Sequence, residues 1–205
     1  MKNKFLVFEG ADGSGKSSLL NRIGEYSRIQ FPENNFMRAA FPGHDIGTLG
    51  QLVYAIHHGE LTHIRKPNET AMQVLHMAAH IDQIETNFRV HFERGGSILL
   101  DRSWWSTYAY SRLHLSKDRA LSLVKLEWPF WDTLPPPAYF CLSRNTSLKP
   151  YESDTERHTK LELYYREIIE LEQDKGIEIH IIDNNGSEDE TFMQAVGIIQ
   201  TMEKL

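Results

Sequence analysis

The stretch FEGADGSGKSS, Phe8 to Ser18, constrains the fold more than any other part of the chain. Gly10, four residues, then Gly15, Lys16 and Ser17 form a phosphate-loop spacing. The glycines let the backbone wrap so that several N–H groups point at phosphate oxygens, the lysine reaches the β- and γ-phosphates, and the hydroxyl reaches a magnesium ion. At ordinary glycine usage of about 7%, a chance match somewhere in a chain this long is roughly a one-in-a-hundred event. The flanks sharpen the reading. KFLVFE, in front, has the composition of a buried parallel strand, and KSSLLNRIGEYSRI, behind, has apolar residues at helical spacing. The loop therefore feeds a helix N-terminus, whose dipole favours anions. Nucleotide binding by Gly10, Ala11, Asp12, Gly13, Ser14, Gly15, Lys16, Ser17 and Ser18 follows.

The rest of the chain repeats the strand-then-helix pattern. KFLVFE, FMRAAF, SILLD, AYFCLS and EIHIID are short apolar runs, each followed by a helix-like segment, which predicts an α/β fold whose parallel sheet is covered on both faces. Helices are expected near 16–28, 46–58, 69–94, 104–126, 154–175 and 189–204. With 205 residues, 40% apolar and no Pro/Gly/Ser-rich linker, a single domain over 1–205 is expected. The formal charge of −6 and the lack of a basic stripe argue against nucleic acid as a partner. The lone Cys141 excludes a disulfide framework. No apolar run reaches membrane-spanning length and the chain opens on a strand, so no membrane association and a cytoplasmic location are expected.

SILLDRS ends its apolar run in Asp101, where phosphate-loop proteins place an acid that reaches magnesium directly or through water. Ligands of open α/β sheets bind at the carboxyl ends of strands, so the loop and Asp101 are expected together, with Ser17 and Asp101 as the metal-facing pair. Motor-type ATPases usually follow this acid with a glutamate that activates water; here the next residue is Arg102. The Asn-Lys-x-Asp signature of GTPases is absent. Transfer is thus favoured over hydrolysis, and an arginine beside the metal acid suits the phosphate of an acceptor.

FEGADGSGKSS, AFPG with GTLG, LHMAAHIDQI, LLDRSWWSTYAYS and PYESDTERHTKLELYYREI stand in the order and spacing of the thymidylate kinases, which the chain resembles over nearly its whole length. That resemblance implies a five-stranded parallel sheet flanked by helices, of the phosphate-loop nucleoside monophosphate kinase type, with a short lid at about 144–153. It also implies a homodimer acting on small nucleotides, with ATP and Mg²⁺, in which the γ-phosphate passes to a deoxynucleoside monophosphate. By the same resemblance, Asp12 approaches the acceptor sugar and Arg102 grips the acceptor phosphate. Phe41, Pro42, Ser106, Tyr110 and Tyr151 line the acceptor site, Arg144 packs over adenine, and the stretch around Asp183 and Gly186 wraps it.

The chain departs from the family at the acceptor pocket and the lid. An arginine usual after strand two is replaced by FPGHD, with His44 nearest, and an aromatic and an arginine usual on the third helix are replaced by His76 and His80. Positions i and i+4 share a helix face, so both imidazoles are expected in one pocket. They can read a base, pack, or, less readily without an acidic ligand at fitting spacing, bind zinc. His57, His58, His63 and His91 read as ordinary surface or core residues, and Trp104 and Trp105 as core, with one of them able to wall the acceptor site. The lid has Pro150 where the family usually supplies its catalytic arginine, which leaves Lys149 as the first candidate cation, then Arg144 and Arg157. Two other functions stay open: a deoxynucleoside kinase, although AAFPGH lacks the glutamate base such an enzyme needs, and a catalytically inactive nucleotide-binding module.

Overall fold

The computed structural model describes residues 3–148 and 155–202. Five strands, β1 (Phe5–Glu9), β2 (Phe36–Ala40), β3 (Ser97–Asp101), β4 (Ala138–Ser143) and β5 (Glu178–Asp183), form one sheet in the order β2-β3-β1-β4-β5, with every pairing parallel. The chain folds as expected because each apolar run has two faces to bury. Phe5, Val7, Ile98, Leu100, Tyr139 and Cys141 point to one side of the sheet, and Leu6, Phe8, Leu99, Phe140, Leu142 and Ile182 to the other. Alternation at period 2 thus feeds two apolar layers.

Helices α1 (Lys16–Gln30) and α9 (Glu188–Met202) cover the second face through Leu19, Leu20, Ile23, Ala195, Val196 and Ile199. Helices α2 (Leu49–His57) and α3 (Glu69–Gln83) pack on each other through Val53, Met72 and Ala79, and the first face is covered by α4 (Arg89–Glu93), α5 (Trp104–Ser111), α6 (Lys117–Val124), α7 (Trp128–Trp131) and α8 (Thr155–Gln173). Trp105 stacks on Tyr139 at 4.0 Å, and Trp104 packs edge-on against Trp128, so both tryptophans belong to this core and neither lines the cavity described below.

Three helical boundaries differ from the sequence reading. The helix expected over 69–94 is one rod only because a π-helical turn, Ile84–Phe88, joins α3 to α4. Ile84, Phe88 and Phe92 all reach the core across it. The helix expected over 104–126 is two, separated by a turn at 112–116. Arg112 Nη1 donates to Leu115 O across that turn, and Ser116, in an extended conformation, starts α6. Helix α2 begins later than expected because Thr48 caps it, accepting from Gln51 N at 3.2 Å. Gly50 lets this helix seat against the Phe41–Pro42 turn, since a Cβ there would lie 1.9 Å from Pro42 O. The four-residue length and Pro129 of α7 hide it from helical periodicity. Among the described residues, no helix is long and apolar enough to cross a membrane.

Candidate active site

The loop between β1 and α1 takes left-handed backbone at Gly13 (φ 72°) and Gly15 (φ 91°), which side-chain-bearing residues rarely adopt. Gly13 is needed a second time, because the segment 144–148 crosses directly over it. A Cβ there would sit 1.9 Å from Ser147 Oγ, and Leu148 N donates to Gly13 O at 2.9 Å. No side chain caps α1, so its first-turn N–H groups remain available to phosphate oxygens. Lys16 is buried, and its ammonium is folded into the loop, donating to Gly10 O (2.8 Å) and Ala11 O (3.0 Å). Burial, and then the nearby Arg102 charge, lower its pKa to about 8. Ser14 Oγ is buried without a partner.

The two residues read as metal-facing meet across the sheet. Ser17 Oγ donates to Asp101 Oδ2 at 3.2 Å, while Asp101 Oδ1 is buried with no hydrogen-bond partner. An unsatisfied carboxylate oxygen beside a hydroxyl at the mouth of the phosphate loop fits a hydrated magnesium ion. Among the described residues, no group of three or more His, Cys, Asp or Glu side chains could hold a metal ion.

Past Asp101, the chain turns through Arg102 in left-handed backbone (φ 74°), uncommon for a residue with a side chain. Glu9 holds this turn. Its carboxylate is fully buried and accepts from Ser103 N and Oγ (2.5 and 2.7 Å), Ser106 Oγ (2.7 Å) and Tyr165 OH (3.2 Å). Burial pushes its pKa up, against the pull of the serine donors. The turn aims Arg102 back at the loop, where it donates to Asp12 and, at 3.0 Å, to Ser106 Oγ. Glu9 was not singled out from the sequence, although an acidic residue closing an otherwise apolar strand was a readable signal.

Beyond the Asp12–Arg102 pair opens a cavity of about 490 Å³, within the range of small-molecule sites. Phe41, Pro42, Ser106, Tyr110, His76 and His80 line it together. His44 does not; it is exposed, with its ring 5.7 Å from that of Tyr54. His57, His58 and Tyr54 of α2, taken from the sequence as ordinary residues or not singled out, do line it, together with Gln73, Thr107 and Arg157. Their spacing, i, i+3 and i+4 on one helix face, was the available signal. His57 Nδ1 lies 3.0 Å from His76 Nε2, so one ring donates to the other. Burial, then the neighbouring His80, pulls the His76 pKa down to about 3, and burial lowers that of His57. This pair is neutral at physiological pH.

On the opposite side of the loop, Arg144 donates to Asn184 O, and His158 Nε2 donates to Arg144 O at 2.8 Å. Asp183 and Gly186 are exposed in the adjoining segment, where Asp183 Oδ1 accepts from Asn185 N at 3.0 Å. Asn184, not singled out beforehand, fastens this segment to the loop by donating to Ser14 O. The pocket here is only about 10 Å³ with Leu148 on its wall. Lys149 and Tyr151 lie outside the described residues.

A parallel five-stranded sheet with a glycine-rich loop at its carboxyl edge, followed by a lysine and a hydroxyl and faced by a strand-ending acid, defines a phosphate-loop fold of the nucleoside monophosphate kinase type. The thymidylate kinase family model matches residues 8–195, and the chain belongs to that family. It is 36% identical over 118 residues to the thymidylate kinase of Prochlorococcus marinus (strain NATL2A), covering 54% of this chain and 52% of that protein. To that of Thermosipho africanus it is 32% identical over 106 residues, covering 52% and 49%. The chain thus matches about half the length of these curated relatives. The crystal structure of thymidylate kinase from Ehrlichia chaffeensis superposes with a TM-score of 0.73 at 18% identity over 96% of this chain and 98% of that one, which supports the fold.

Proposed function

We propose that the protein, a single domain over 1–205, transfers the γ-phosphoryl group of ATP to a deoxynucleoside monophosphate, with thymidylate as the leading candidate. The observation that carries this reading is the Asp12–Arg102 ion pair, which joins the phosphate loop to the 490 Å³ cavity. A nucleotide-binding module has no use for a guanidinium at that junction. For a transferase it is where the acceptor phosphate lies in line with the donor.

In this reading, the loop N–H groups and Lys16 hold the donor phosphates, and Lys16 leaves the Gly10 and Ala11 carbonyls to neutralise charge on the transferring group. Magnesium, held by Ser17 and Asp101, would screen the phosphate oxygens. Arg102 binds the acceptor phosphate bidentately, displacing the Asp12 carboxylate toward the sugar. The acceptor is already an anionic nucleophile, so no general base is required. A sugar hydroxyl would require one, and in the cavity the Asp12 carboxylate is tied to Arg102, which disfavours the nucleoside reading. Leu148 N donates to Gly13 O, so the segment 144–148 lies beside the loop that would hold the donor phosphates. We further propose a homodimer in the cytoplasm; exposed Leu52, Ile64 and Val74 supply apolar surface around α2 and α3.

The test is ADP release measured with ATP and magnesium against a panel of deoxynucleoside monophosphates and deoxynucleosides. Release that depends on a monophosphate is expected. Release with nucleosides only, or none above the ATP-only rate, would refute the reading.

A further inference from the structure

Glu127 stands just before α7 with its side chain fully buried. Its Oε2 accepts from His80 Nδ1 at 2.8 Å and from the Trp131 indole N–H at 3.1 Å, while Oε1 has no partner. No lysine or arginine among the described residues pairs with it. His80 is only 3% exposed and is clamped twice: its ring stacks on Phe41 at 4.0 Å and 19°, and its Nδ1 is held by Glu127. The same ring lines the cavity, and among the described residues its hydrogen bond is made through Nδ1 alone, leaving Nε2 for a ligand.

Counting protons decides what Nε2 offers. The pair has three neutral forms. In two of them, imidazolium with carboxylate and imidazole with a carboxylic acid whose proton lies between Oε2 and Nδ1, Nε2 carries a hydrogen. The third, with Nδ1–H donating to Oε2 and the acid proton on Oε1, leaves a lone pair on Nε2 but strands a buried O–H, because Oε1 has no partner. The remaining form with a lone pair on Nε2 carries a net negative charge, which is strongly disfavoured in a water-poor interior where no lysine or arginine among the described residues pairs with it. The carboxylate therefore makes His80 Nε2 a hydrogen-bond donor.

We propose that Glu127 is a positioning residue that keeps Nε2–H of His80 aimed into the cavity, and that the pair selects an acceptor whose base presents a keto oxygen there over one presenting an exocyclic amino group. The substrate half rests on the reading of this cavity as the acceptor site. A keto oxygen completes the donor, whereas an amino group sets donor against donor and leaves both unpaired.

Deoxyuridylate and deoxycytidylate differ only in the keto or amino group at position 4 and the matching proton on N3, and so make the probe pair. The wild-type protein should prefer deoxyuridylate. In Glu127→Gln the atom at the Oε2 position must stay an oxygen, because Trp131 donates to it. That amide oxygen then accepts from Nδ1–H without a charge to balance, so Nε2 becomes an acceptor. The ratio of kcat/KM for deoxyuridylate over deoxycytidylate should fall by about tenfold or more. A merely structural role would lower both substrates alike; an unchanged ratio, or a wild-type preference for deoxycytidylate, overturns the proposal. Nitrogen-15 NMR of histidine-labelled wild-type protein at pH 7 decides independently of how the variant folds. The His80 signal, assigned by its loss in His80→Gln, should show a proton on Nε2, and a lone-pair shift there overturns the inference. Absence of turnover with every monophosphate would instead overturn the proposed function, and with it the substrate half, while the NMR result still judges the Glu127–His80 pair.

Discussion

Replacing Lys16 by Met tests the electrostatics of the loop apart from catalysis. Burial and the Arg102 charge take the Lys16 pKa from 10.5 to about 8 in the ligand-free fold. At ~1.4 kcal/mol per unit, this disfavours the folded ammonium by about 3 kcal/mol. Below pH 8 the lysine is protonated folded and unfolded, and the penalty is complete. Between about 8 and 10.5 the folded lysine has lost its proton while the unfolded one keeps it, so the unfolded state binds more protons and stability rises with pH. Methionine, of similar shape, has no such dependence. The stability of Lys16→Met minus that of wild type should therefore fall by about 3 kcal/mol from pH 7.5 to 10.5. Losing the hydrogen bonds to Gly10 and Ala11 offsets the whole difference curve and leaves its slope alone. Urea unfolding of both proteins, followed by far-ultraviolet circular dichroism across this range, measures the difference, and titrations common to both cancel. A difference independent of pH would refute the reasoning. A saturating non-hydrolysable ATP analogue should abolish the slope, because phosphate restores the ammonium.

Other consequences are open to direct measurement. Lys16→Ala should cut phosphoryl transfer by about 10²-fold or more with the fold retained, and a variant keeping a tenth of wild-type turnover would contradict the role given to it. Arg102→Ala should raise the acceptor KM or lower kcat by about 10- to 100-fold while ATP affinity, read by calorimetry, stays put. Glu9→Ala should destabilise the fold by about 3 kcal/mol, since it strands the Ser103 N–H and two hydroxyls in the interior, and thermal unfolding would show it. The double replacement His76→Phe with His80→Arg keeps a donor at position 80 and adds a stacking face at 76, so it should move acceptor preference toward thymidylate, and an unchanged ranking would show that His76 does not set that preference. Of the described lid candidates, Arg157 lines the cavity and Arg144 is bound to Asn184 O, so Arg157→Ala should lower kcat more than Arg144→Ala, with Lys149→Ala measured beside them.

Much of this protein is legible along the chain because strands, helices and the phosphate loop are encoded locally. Continuous apolar runs mark β1, β3 and β4, the Gly10-to-Ser17 spacing marks the loop, and the strand-ending Asp101 lies within hydrogen-bond reach of Ser17 because β1 and β3 are parallel neighbours. The character of the acceptor cavity was not legible, because it depends on groups far apart in sequence. Asp12 and Arg102 are 90 residues apart, and His80 and Glu127 are 47 apart. His76 and His80 could be placed on one helix face from their spacing alone. That one is tied to His57 and the other to a buried carboxylate follows from how α2, α3 and α7 pack, and no periodicity records it. Sequence determines which side chains a helix presents to a pocket, but their protonation and hydrogen-bond polarity are set by burial and by partners that only the tertiary fold brings within 3 Å.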